Sequence, residues 1–188
     1  MNLLLAFSPF IVFVVIERLA GIPAGLGAGA LVAAGLLMHD LLAPGRSPKI
    51  LEIGTVCLFG GLTLLQLAIG AQWSIADVRL RVDAGLLLIV LLSMVLRRPF
   101  SLQYARERVA QAHWDSPGFL RVNYVISAAW AVAFCVLVLA DVVMAFLPAL
   151  PHAVGIAATV VALAAASWFT GWYPEHHHAR GQPHGSAG

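Results

Sequence analysis

The stretch FLRVNYVISAAWAVAFCVLVLADVVMAFL, from Phe119 to Leu147, decides the fold: its 29 residues carry two charges, Arg121 and Asp141. About 20 apolar residues cross roughly 30 Å of hydrocarbon as a helix, so this run can span a bilayer and still tilt or project from it. Five further apolar runs flank it: Leu3 to Leu19, Ile22 to Leu42, Ile50 to Ala71, Val82 to Leu96, and Ala149 to Trp172. They run unbroken instead of alternating every second residue, which argues against a barrel. Across the chain 61% of residues are apolar and 11% charged, against roughly 45–50% and about 25% in soluble domains. The expected fold is therefore all-α, a polytopic membrane helical bundle of about six transmembrane helices. Five is the count if Leu3 to Leu19 inserts only partly, since that run and Val82 to Leu96 are short.

The opening run has the length of a signal-peptide core. No Lys or Arg precedes it, Pro9 interrupts it, and Glu17-Arg18 follows where small residues of a cleavage site would stand; we expect it to be retained. Pro/Gly-rich or polar connectors separate the runs: Gly21-Ile22-Pro23, Pro44 to Pro48, Gln72 to Arg81, Arg97 to Gly118, and Pro148 to Pro151. Residues 1–173 form one transmembrane domain, and the His/Gly-rich tail, 174–188, is expected to be disordered. No internal repeat and no matched pair of interrupted helices stands out.

Basic residues set the orientation. With a cytoplasmic N-terminus, the inner loops hold Arg46, Lys49, Arg97, Arg98, Arg106, Arg108, Arg121 and Arg180, and the outer ones hold Arg18, Arg79 and Arg81. That excess predicts a cytoplasmic C-terminus, which the five-helix count leaves unchanged. With basic residues scattered and a net charge of +2, the chain has no concentrated patch for nucleic acid. In the long basic connector, Leu102, Ala105, Val109 and Ala112 recur at helical spacing, and Ser101 is placed to cap a helix started after Pro99. We expect an amphipathic helix on the cytoplasmic face. Arg97, Arg98, Arg106 and Arg108 either simply obey the positive-inside rule or contact lipid headgroups or a partner.

Polar groups inside apolar runs are the candidates for function. Asp141 and Asn123 stand 18 residues, five helical turns, apart and therefore share one side of a helix. With Thr63 and Gln66 they form a candidate intramembrane polar site, whose plainer explanation is hydrogen bonding between helices. Gly60-Gly61, and Gly25, Gly29 and Gly35 with Ala33 and Ala34, read as close-packing faces. Glu17, Arg18 and Glu52 suit structural pairing, His39 and Asp40 an interfacial position, and His113 and Trp114 headgroup anchoring. Cys57 and Cys135 read as core packing residues. His176, His177, His178 and His184 lie in a stretch that fixes no ligand geometry, so metal binding there is expected to be adventitious. No nucleophile with a matched base, phosphate loop or HExxH motif is present, and no enzyme is expected.

The order of features resembles the intracellular septation protein A family of bacterial inner-membrane proteins. The likeness rests on Phe7-Ser8-Pro9-Phe10-Ile11-Val12-Phe13, on Phe59-Gly60-Gly61-Leu62-Thr63-Leu64, and on Arg97-Arg98-Pro99-Phe100 further along. Arg121-Val122-Asn123, Trp130 to Phe134 and Ala140 to Pro148 are similar to the family's penultimate helix, with Asp141 where its pattern has Asn. The resemblance implies a non-enzymatic inner-membrane protein without cofactor. It would support septation and envelope maintenance through lipids and other division or envelope-synthesis proteins. The alternative is a small ion or solute transporter with a polar path around Asn123 and Asp141.

Overall fold

The structure, a computed structural model, describes residues 3–44, 46–147 and 149–179, and every regular element in them is helical. A 3₁₀ stretch, Leu3–Phe7, leads into α1 (Ser8–Ala20), α2 (Ile22–Leu42), α3 (Ile50–Ile69), α4 (Ile75–Val95) and the short α5 (Phe100–Arg106). After a second 3₁₀ turn at Gln111–His113 come α6 (Pro117–Phe146) and α7 (His152–Ala179). Four helices are long and apolar enough to cross a membrane: α2, α3, α6 and the Ala153–His176 part of α7. Leu31, Leu42, Leu64, Leu67 and Phe146 stand fully outward. An apolar exterior on this scale would aggregate in water and is ordinary in acyl chains.

Consecutive helices pack on one another, with α4 passing over the short α5 to pack on α6. Neighbours run in opposite directions: Gly85 of α4 lies against Leu58 of α3, and Gly54 of α3 against Ile89 of α4. A single non-helical residue, Gly21, connects α1 to α2 at φ 88°, a conformation open chiefly to glycine. α1 and α2 pack along each other after that reversal, and Gly25 meets the Glu17 backbone so closely that a Cβ would stand 2.9 Å from its nitrogen.

The core divides in two. Phe13, Leu26, Phe59, Val78 and Val82 join α1 through α4. Leu86, Val90, Phe100, Ile126, Trp130 and Phe134 join α4, α5 and α6, with Phe7 stacked on Trp130 at a centroid distance of 4.7 Å. Trp130 also donates from its indole N–H to Thr170 Oγ1 at 2.9 Å, tying α6 to α7.

Several expectations change. The fourth helix begins at Ile75, not Val82, because Ser74 and Asp77 form a reciprocal capping box and a charged first half precedes the apolar run. The basic connector holds no surface-lying amphipathic helix: α5 has seven residues, and Phe100, Ser101, Leu102 and Tyr104 are all buried. Ser101 does not cap it. Its hydroxyl donates to the Asn123 carbonyl at 2.8 Å and lies 2.9 Å from Ser127 Oγ, pinning α5 to α6. Nothing lies within contact of a Cβ at Gly60, Gly61 or Gly35, so the close approaches fall instead at Gly25, Gly29, Gly54 and Gly85. Cys57 and Cys135 face outward and are not core residues. The tail's first residues, from Pro174 to Ala179, continue α7 as helix, and 180–188 lie outside the described residues.

Candidate functional site

Charge gathers at the two ends of the bundle. At the end where α2 gives way to α3, Lys49 precedes the first residue of α3 and is 1% exposed. It pairs with Asp40, itself 0% exposed, and reaches Glu107 at 2.8 Å and Glu52 at 3.4 Å. Arg46 donates to Asp40 at 3.1 Å, and the Lys49 ammonium stands 5.1 Å from the centre of the Tyr104 ring. The Tyr104 hydroxyl donates to Glu52 at 3.5 Å, and the Ile50 amide donates to Gln103 Oε1 at 2.8 Å. Burial, and then the charges of Glu52 and Glu107, push the Tyr104 phenol well above its ordinary range. It therefore acts as a donor throughout.

This network closes the α2–α3 loop onto α5 and the turn after it. A buried lysine would carry a heavy desolvation cost alone; three carboxylates and an aromatic face offset it. Asp40 is thus a buried ion-pair member at the end of α2, and Glu52 pairs as the sequence suggests. Lys49, Tyr104 and Glu107 were not singled out from sequence. Pro48-Lys49 directly before an apolar run, with Glu52 one turn on, was the signal available.

Beyond the network, Arg97, Arg98, Arg108 and Arg121 are exposed at the same end. Arg97 takes φ 56°, outside the helix that ends at Val95, and this turns the chain toward Pro99. Arg106 is partly exposed, lies 3.7 Å from Asp115 and stacks over Trp114 at 5.2 Å.

The opposite end carries Glu17, Arg18, Arg79, Asp83 and Asp141. Arg79 approaches Asp141 at 3.8 Å, longer than a hydrogen bond, and Asp83 lies beside this pair. Here a cavity of about 600 Å³ opens between α1, α4, α6 and α7. Glu17, Arg18, Arg79 and Asp83 line its charged end, and Phe7, Trp130 and Phe134 its apolar interior. A second cavity of about 490 Å³, beside the α1–α2 reversal, is lined by Glu17, Gln66, Gln72 and Trp73 among others.

The four residues of the candidate polar site do not share a cavity. Gln66 borders the second one with its Oε1 unpartnered, and Thr63 donates to the Phe59 carbonyl of its own helix at 2.7 Å. Asn123 donates to the Phe119 carbonyl at 2.8 Å beside Ser101. Asp141 belongs to the Arg79–Asp83 group, five turns away. Among the described residues no group of three His, Cys, Asp or Glu side chains is arranged to hold a metal ion. His176 Nδ1 contacts the Trp172 carbonyl at 3.0 Å, and the side chains of His177, His178 and His184 lie outside the described residues.

Fold and site together define a class: among the described residues, an all-helical protein with four helices long and apolar enough to cross a membrane, a buried ionic network and an amphipathic cavity. Compared with protein-family models, curated proteins and solved structures, the chain matches none.

Proposed function

We propose that this chain is a six-span protein of a bacterial inner membrane, with its C-terminus in the cytoplasm, that supports septation and envelope maintenance by contact with lipids and division or envelope-synthesis proteins rather than by catalysis. The observation that carries it is the basic rim: Arg97, Arg98, Arg108 and Arg121 stand exposed at the end that the Lys49 network holds rigid. Folding buries none of these guanidinium groups, and a fixed cluster of cations at a membrane surface suits anionic headgroups or an acidic partner. Opposed neighbours across α1, α2, α3, α4, α6 and α7 put the connectors richest in Lys and Arg at this same end, in keeping with the positive-inside rule. Gly60 and Gly61, with open space beside them, leave a notch on α3 where a partner helix would approach closely.

Replacing Arg97, Arg98, Arg106 and Arg108 together with Gln should abolish co-purification of partners and retention of anionic lipid while leaving membrane insertion intact. Unaltered co-purification would count against the proposal. Transport has less support, because Asn123, Asp141, Thr63 and Gln66 line no common path. Flux in reconstituted vesicles that vanished in Asp141→Asn would reverse that ranking.

A further inference from the structure

The larger cavity has the shape and chemistry of a site for an amphiphile. Its length follows α1 from Phe7 to Arg18 and α7 from Ile156 to Ser167, each about 16 Å at 1.5 Å per residue. One end is charged and the other is aromatic, with Trp130 stacked on Phe7 at the floor. α1 packs on α2 and α7 on α6, so the space between α1 and α7 is open toward the side. The exposed residues Ile11, Val14, Ile156 and Val160 border that opening, and a lipid chain enters from the bilayer without crossing water.

The charged end indicates which headgroup fits. Among the described residues Arg18, which is exposed, makes no ion pair and Arg79 has the long approach to Asp141, so both guanidinium groups have donors to spare. Facing them on the cavity wall are two carboxylates, that of Glu17, which is buried, and that of Asp83. Two positive and two negative charges at one mouth match a headgroup that itself carries one of each. We propose that this cavity binds one chain of a zwitterionic phospholipid, its phosphate between Arg18 and Arg79 and its ammonium toward Glu17 and Asp83. The aromatic interior takes the acyl chain.

The test uses the full chain purified in a maltoside detergent, titrated with 14-carbon lysophosphatidylethanolamine and read by native mass spectrometry and Trp fluorescence. We expect saturable one-to-one binding, at least tenfold tighter than that of the equally long lysophosphatidylglycerol. Free phosphoethanolamine should not compete, since the chain supplies much of the affinity. Arg18→Gln, at an exposed position, should weaken binding at least tenfold, and Val160→Trp, at the rim, should block it; circular dichroism confirms that each variant is folded. A preference for the anionic lipid, indifference to Arg18→Gln in a folded protein, competition by free phosphoethanolamine, or non-saturable uptake would each overturn the proposal.

Discussion

Lys49 shows at the scale of one residue how charge is held within a largely apolar chain. Its ammonium has Asp40, Glu52 and Glu107 around it, so removing it leaves the buried Glu52 without a cation and Asp40 dependent on Arg46. Truncating one partner of such a network costs about 3–5 kcal/mol, whereas replacing both partners with apolar groups of similar size is often neutral. Lys49→Met should therefore destabilise strongly in thermal unfolding in micelles, and Lys49→Met with Glu52→Leu should recover much of the loss. Equal destabilisation by single and double variants would show that the pairing is not what counts. Asp141 was legible as a charge within an apolar run, since nothing else in that run is acidic. Its partners Arg79 and Asp83 were not, because the distance that joins α4 to α6 is a property of the bundle and leaves no mark on spacing within either helix.

At the scale of elements, small residues decide how close the helices come. Glycine inside a helix costs about 0.5–1 kcal/mol relative to alanine, and at Gly25 that cost is offset by an approach of α1 that no Cβ would allow. Because the obstacle is Glu17 backbone, it cannot swing aside. Gly25→Ala should destabilise the α1–α2 pair by about 1–3 kcal/mol, the usual penalty of overpacking, whereas Gly35→Ala, with open space around it, should be neutral or slightly stabilising. Denaturant titration of the two variants side by side checks this. The sequence located Gly25 and Gly29 as packing sites, but Gly35, Gly60 and Gly61 look the same in one dimension; only the rotational setting of each helix separates a face turned inward from one turned to lipid. The start of α4 was legible in Ser74 and Asp77 and was obscured by the charges at Arg79, Arg81 and Asp83. The buried course of α5 was hidden because Leu102 and Tyr104 insert between helices that lie elsewhere in the sequence.

For the whole molecule, the apolar runs were enough to mark most of the helices and to set the class, because a helix in lipid must satisfy its backbone internally and so writes its length into composition. Orientation is the quantity most open to direct measurement. In a background of Cys57→Ser and Cys135→Ser, a cysteine at Ser47 should react with a membrane-impermeant maleimide only after the inner face is exposed. One at Gln72 should react in intact cells. The reverse pattern would invert the arrangement proposed above and place the arginine rim outside.

The one-residue joint at Gly21 also bears on biogenesis. α1 has 13 residues, about 20 Å of helix at 1.5 Å per residue, short of the roughly 30 Å of hydrocarbon. In the six-span arrangement proposed above, so tight a reversal would bring it into lipid as one limb of a hairpin, its commitment waiting until the apolar stretch that follows has left the ribosome.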